Sequence, residues 1–346
     1  MSPLPARVSS VSYRPALAWF AAVGAGWVFV LVMLGAFTTS IGAGMVFQDW
    51  PLSNGSLNPA GWLANAAMFA EHSHRLSAGM MSAITIALAA LLSWRETRPW
   101  LRRLGWAAVA LVLVQAVVGG LRVLLDRQQV AMVDTSLGRL FAMLHACLAQ
   151  VFSCTLMAIA AALSRPWVEA VQPEPRRGGG GLRRHGIACC ALLLAQTAIA
   201  AVMRHSFAGL AIPTFPFTPE GGLVPVYWDF RIGVNFAHRA MALVVTVAVV
   251  WFAATSLRAR ETSPSTKVLA VAIVALLAAQ VALGASIVWT GRNPYVATAH
   301  VLVGAVTLAA TFLLTWLAHR DMLESVPDTA ATVPLPGAAE GKPVPA

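Results

Sequence analysis

The chain has 346 residues, of which 58% are hydrophobic and 11% charged, and a mean hydropathy of +0.71; this composition excludes a soluble globular domain. Its net charge of +10 is not matched by any basic, aromatic-interleaved patch, which argues against nucleic acid as a partner. The long unbroken apolar runs also exclude a membrane barrel, whose strands alternate over about ten residues.

A membrane-spanning helix needs about 20 apolar residues, and eight such runs occur, at 16–37, 71–94, 105–125, 139–163, 186–203, 233–257, 268–289 and 297–318. Cytoplasmic loops retain Arg and Lys. With the N-terminus inside, the inner segments hold sixteen of the 24 basic residues, among them Arg95, Arg98, Arg102 and Arg103 after the second span. Both termini are therefore expected in the cytoplasm. The first span is too long for a cleavable signal and is expected to persist. Two Lys against 22 Arg suggest a G+C-rich genome and a multi-pass protein of a bacterial inner membrane. Cys147, Cys154, Cys189 and Cys190 all fall inside spans, where they read as small buried hydrophobes.

The chain contains one unit written twice. The first long outer loop carries Ala43, Gly44, three apolar residues, two more, then Trp50-Pro51-Leu52; the second carries Ala208, Gly209, three apolar residues, two more, then Phe215-Pro216-Phe217. The same offset of 164 or 165 relates His74 to His238, Gln115 to Gln280 and Gly119 to Gly284, while His145 and His300 are 155 apart because the third outer loop is shorter in the second half. The expected fold is an all-α integral membrane protein with eight transmembrane helices in two tandem four-helix bundles. An even number of spans per repeat gives both units the same orientation, so a pseudo-twofold axis along the membrane normal is expected. The divisions are a cytoplasmic tail at 1–15, an N-terminal bundle at 16–165, a Pro- and Gly-rich linker at 166–185, a C-terminal bundle at 186–318 and a disordered cytoplasmic tail at 319–346.

His74, His145, His238 and His300 each lie within about two turns of the outer end of an even-numbered span, about 5 to 10 Å in at 1.5 Å per residue. Within a bundle, spans running the same way can present two imidazoles to one plane from opposite sides, the geometry of bis-histidine haem ligation. Arg75 and Arg239 follow two of these histidines and suit haem propionates, or can snorkel to lipid phosphate. His72, His185, His205 and His319 lack matched partners and are expected at the interface or in solvent. Zinc fits less well for want of a Cys/His/carboxylate cluster, and a di-iron site needs more carboxylates than Glu71.

Glu71 is opposed by Asn235 in the repeat alignment. A carboxylate three residues before His74 can take a proton, hold a water or stabilise developing charge, whereas an amide cannot act as a base; the lesser alternative is an N-cap or first-turn residue favoured by the helix dipole. A di-haem electron carrier needs the four histidines but not this asymmetry. A transporter with parallel repeats would place its polar groups nearer the midplane.

Several stretches together resemble the heme A synthase family: 35–40 leading to Gly44, 49–55, Glu71-x-x-His74-Arg75, His145, Phe215-Pro216, His238-Arg239 and His300. The resemblance covers all eight spans. It implies that haem b is held in the C-terminal half by His238 and His300. It also implies that haem O is the substrate beside His74, His145 and Glu71, its C8 methyl oxidised to the formyl of haem A by successive hydroxylations while haem b relays electrons. Cooperation with a haem O synthase, an electron acceptor and self-association as a homo-oligomer are further implications. The first outer loop lacks the cysteine pair that some members carry, so any thiol role for such a pair is absent in this chain.

Overall fold

The computed structural model describes residues 12–130, 135–169, 180–259 and 263–324. The expected tails at 1–11 and 325–346 and the linker core at 170–179 lie outside the described residues.

Eight long helices carry the apolar runs: α1 (Pro15–Ser40), α2 (Ala66–Arg95), α3 (Pro99–Leu124), α4 (Leu137–Leu163), α6 (Gly180–His205), α7 (Phe230–Arg258), α8 (Pro264–Trp289) and α9 (Pro294–Ala318). Two short helices, α5 (Arg165–Val168) and α10 (Arg320–Glu324), flank α4 and α9, and two short strands, β1 (Gln129–Val130) and β2 (Thr135–Ser136), pair antiparallel between α3 and α4. Each long helix meets the length and hydropathy of a membrane crossing, so this is a multi-pass membrane protein.

Most of these helices begin a turn or so before the apolar runs, because capping residues start them. Asn65 accepts from the N–H groups of Ala67 and Met68 to open α2, and Asp229, Ser263 and Asn293 do the same for α7, α8 and α9; such caps satisfy backbone donors that the helix cannot. The earlier start puts Glu71 in the second turn of α2, which removes the first-turn reading of that residue. It also shortens the linker: α5 occupies 165–168 and α6 begins at Gly180.

α1 packs on α2 and α4, and α3 on the same two helices; α6 packs on α7 and α9, and α8 on those two. The two sets meet through α1 with α9 and α4 with α6 and α9. Each set has its own apolar core toward the inner end, one around Val28, Met81, Leu88, Phe152 and Ile159, the other around Leu193, Val249, Phe252, Ile273 and Leu308. Below them, Arg98 bridges Glu96 and Glu324 at 2.9 Å each, and Trp167 Nε1 donates to Glu324. Arg183 pairs with Asp321. These bonds hold α5 and α10 against the end of the bundles opposite the histidines.

The outer halves are built differently. In the second set no residue is buried between Leu193 and Ala201 on α6, Asn235 and Val245 on α7, Leu277 and Ala285 on α8, or Thr298 and Ala305 on α9. All four intervals lie at one level, where close packing of a protein interior is interrupted. His238 and His300 sit in that interval.

Candidate functional site

His74, His145 and His238 are each the ninth residue of their helices, α2, α4 and α7, and His300 is the seventh of α9. Four half-buried imidazoles thus share one depth. Glycines on the neighbouring helices make room for three of them. A Cβ at Gly35 would come within 2.8 Å of His74 Cε1, one at Gly119 within 3.0 Å of His145 Cε1, and one at Gly284 within 3.2 Å of His300 Cε1.

Two imidazoles are oriented by the same device in each half. His145 Nδ1 stands 3.1 Å from the Gln115 carbonyl, and His300 Nδ1 stands 3.1 Å from the Gln280 carbonyl. A carbonyl can only accept, so Nδ1 carries the proton and Nε2 keeps its lone pair for a metal or donor. Gln115 Nε2 donates to the His145 carbonyl at 2.9 Å. Gln280 Nε2 lies instead 3.3 Å from His300 Nε2 and donates to that lone pair. Gln115 and Gln280 were legible as a repeat-matched pair, but their work as imidazole partners was not.

The His238 and His300 ring centres are 6.5 Å apart at 66°. Two imidazoles bound to one iron at about 2 Å each place their nitrogens about 4 Å apart and their ring centres a little over 6 Å apart, so this pair fits a bis-histidine iron. His74 and His145 are also close enough to interact electrostatically. Among the described residues no three of His, Cys, Asp and Glu converge as a metal-ion cluster, and a haem iron needs only two protein ligands.

Above the histidines, each outer loop is tied down by residues of α2 or α7. Glu71, 4% exposed, accepts from the N–H groups of Val46 at 2.8 Å and Phe47 at 3.1 Å through Oε2, and from Arg75 at 2.6 Å through Oε1. Arg75 also donates to the carbonyls of Asp49, Leu52 and Phe47. In the second half Asn235 donates to the carbonyls of Ala208 and Gly209, and Arg239 donates to Ile212, the counterpart of Phe47, at 2.8 Å. Both loops carry a cis X-Pro bond, Trp50-Pro51 and Phe215-Pro216. The carboxylate of Glu71 is turned to its loop, and its hydrogen bonds go there and to Arg75.

Two arginines near the ends of α3 and α6 approach the histidines. Arg122 on α3 donates to the Gly44 carbonyl and is within electrostatic range of His74 and His145. Arg204 on α6 donates to Ala36 O at 2.8 Å and Ser40 Oγ at 2.7 Å and stands in the same relation to His300. Their signal was their position one turn from a span end. His72, expected at the interface, is instead buried: Ser53 Oγ lies 3.0 Å from its Nδ1, and Phe47 and Trp62 pack edge-on. His205 is half-buried and faces Arg122, Arg139 and Arg204. His185 lies against Trp251, and His319 Nδ1 bonds the Thr315 carbonyl.

Residues 18–312 match the model of the COX15-CtaA family, cytochrome oxidase assembly proteins. The chain belongs to the COX15-CtaA family. The matched region runs from the first turn of α1 into the last third of α9, and so includes both outer loops and all four histidines. Similar proteins include the heme A synthase of Geobacillus thermodenitrificans, 27% identical over 301 residues that cover 82% of this chain and 86% of that one. That of Listeria monocytogenes serotype 4a (strain HCC23) is 27% identical over 305 residues, 84% and 92% of the two chains. That of Bacillus pumilus (strain SAFR-032) is 28% identical over 235 residues, 64% and 69%. The COX15-CtaA relationship therefore extends over both repeats.

Proposed function

We propose that this chain is a heme A synthase of a bacterial inner membrane, with both termini cytoplasmic and its two four-helix units related by an axis along the membrane normal. Haem O, delivered by a haem O synthase, is held in the N-terminal unit between His74 and His145, and its C8 methyl is oxidised to the formyl of haem A. The observation that carries this reading is the pair of imidazoles at one depth in each unit, with the 6.5 Å His238–His300 separation matching an iron ligated from both sides, in a chain whose relatives are heme A synthases.

A haem b resident on His238 and His300 would supply one-electron chemistry, feeding an acceptor outside the chain. The residues do the rest. Gln115 and Gln280 fix the proton on Nδ1 of His145 and His300 through their backbone carbonyls, which leaves Nε2 as the ligating nitrogen; the Gln280 amide, 3.3 Å from His300 Nε2, would withdraw to admit the iron. Arg75 and Glu71 hold the first outer loop as a cover, and Arg239 and Asn235 hold the second. A closed cover excludes bulk water, and electrostatic interactions beneath it are stronger for that. Glu71, buried in this layer, is assigned the catalytic role of accepting a proton or steadying charge at the substrate edge, once a loop N–H bond is released.

The engagement of Glu71 with its loop favours a second reading, a di-haem b electron carrier in which Glu71 is a tether only. The two are separated by extracting the haems from protein purified after co-expression with a haem O synthase, beside Glu71→Gln. Haem A or hydroxylated haem O beside haem b, lost in Glu71→Gln while total haem persists, supports the synthase and the role of Glu71. Haem b alone in both supports the carrier.

A further inference from the structure

The four imidazoles are not supported alike, and the exception is His238. His145 and His300 face the backbone carbonyls of Gln115 and Gln280, and the backbone carbonyl facing His74 is that of Leu31. At the position equivalent to Leu31, 165 residues on, the chain has Gln196. Its side-chain amide, rather than a backbone carbonyl, meets His238: Nε2 donates to the His238 carbonyl at 3.0 Å and lies 3.1 Å from His238 Nδ1. The other end of that amide, Gln196 Oε1, is buried without a hydrogen-bond partner. In the N-terminal half Leu31 offers no such group, and His74 Nδ1 is buried without a partner.

We propose that Gln196 is a positioning residue that sets the donor strength of His238 and so makes the C-terminal iron site electronically different from the N-terminal one. This rests on the haem reading above. An imidazole that ligates through Nε2 carries its proton on Nδ1, and that proton needs an acceptor at the place Gln196 occupies. Presenting Oε1, the unfilled buried acceptor, to Nδ1–H requires the amide to turn end for end and to give up the Nε2 bond to the His238 carbonyl. A hydrogen-bonded Nδ1–H makes the imidazole a stronger donor and fixes its plane, which favours the ferric state and lowers the reduction potential. Gln196 thus meets His238 through a side chain, where Leu31 meets His74 only through its backbone carbonyl.

The test is potentiometric titration and electron paramagnetic resonance of the purified, haem-loaded protein, comparing wild type with Gln196→Leu, Gln196→Glu and the control His238→Ala. Gln196→Leu is expected to raise the potential of one haem component and shift its low-spin signal, with affinity for that haem falling about tenfold, the lower end for lost partners of metal-bound histidines. Gln196→Glu, a stronger acceptor, moves the same component the opposite way. Unchanged potentials in both Gln196 variants, with His238→Ala losing one haem, would overturn the proposal and leave the haem reading standing. Retention of all haem by His238→Ala would overturn the haem reading, and this proposal with it.

Discussion

Glu71 and Asn235 occupy matched positions on α2 and α7 and hold the loops above them by bonds of opposite polarity. Glu71 accepts from the N–H groups of Val46 and Phe47, whereas Asn235 donates to the carbonyls of Ala208 and Gly209. One repeat thus closes its cover with a buried ion pair and the other with an amide. Glu71→Ala leaves Arg75 buried without its carboxylate, a change that typically costs about 3 to 5 kcal/mol. The first outer loop is then expected to become protease-sensitive. Glu71→Gln keeps an oxygen for the two N–H groups and is expected to retain protection while losing haem A formation. Limited proteolysis beside haem extraction separates the two effects; full haem A in Glu71→Gln would reduce Glu71 to a tether.

The glycines that face the imidazoles give a graded prediction. A methyl at Gly35 meets three His74 ring atoms, the nearest at 2.8 Å, whereas one at Gly284 meets His300 Cε1 at 3.2 Å. Overpacking of this kind costs about 1 to 3 kcal/mol, so the tighter site must move its ring and the looser one adjusts. Gly35→Ala is expected to deplete haem O and haem A from the purified protein by about tenfold, while Gly284→Ala lowers haem b only slightly. Extracted haem per mole of protein checks this, and equal losses in the two variants would contradict it.

The spans were legible because apolar run length is a local pattern, and the common depth of His74, His145, His238 and His300 because a position counted from a helix end is one too. The helix starts were missed for a local reason too. Asn65, Ser263 and Asn293 are capping residues, but they lie outside the apolar runs that set the expected limits. Other features needed three dimensions. Nothing in the sequence says that Gln196 touches His238 across two helices, that Arg75 spends its donors on loop carbonyls, or that His72 is roofed by Trp62. A buried polar contact depends on which helix faces meet, and apolar composition leaves that open.

At the end of the bundles opposite the histidines, Arg98 is 7% exposed and Glu96 8%. Burial alone would push the Glu96 carboxyl up, but the bonds from Arg98 outweigh it and hold the carboxyl below its ordinary value. A depressed carboxylate stabilises the fold above its unfolded pKa of about 4.3, and that stabilisation is lost as pH falls through the lower folded value. Arg98→Ala strands Glu96 and Glu324 and is expected to destabilise by about 3 kcal/mol. In detergent, the wild-type melting temperature should fall on acidification below about pH 4.3. The variant should start lower and show a flatter or reversed trend, because burial then raises the Glu96 pKa. Parallel acid profiles for the two proteins would disprove the link.

The carboxylates of a bound haem need cations to meet them. Arg75 was expected to do so, yet both of its Nη groups bond Glu71 and loop carbonyls, which uses four of its five N–H donors. Arg122 and Arg204 have no carboxylate within salt-bridge distance among the described residues, and each lies near histidines of one half, Arg122 by His74 and His145, Arg204 by His300. A charge-assisted bond contributes about 1.5 to 3 kcal/mol, or about a tenfold or greater change in retention. Arg122→Gln is therefore expected to strip haem O and haem A about tenfold and spare haem b, and Arg204→Gln to do the reverse. Arg204 also bonds Ala36 and Ser40 across the two bundles, so a loss could come from loosened packing. Arg204→Lys separates the causes: it keeps the charge but not the paired bonds. Haem b retained in Arg204→Lys and lost in Arg204→Gln assigns the effect to charge; loss in both assigns it to the interface between the bundles.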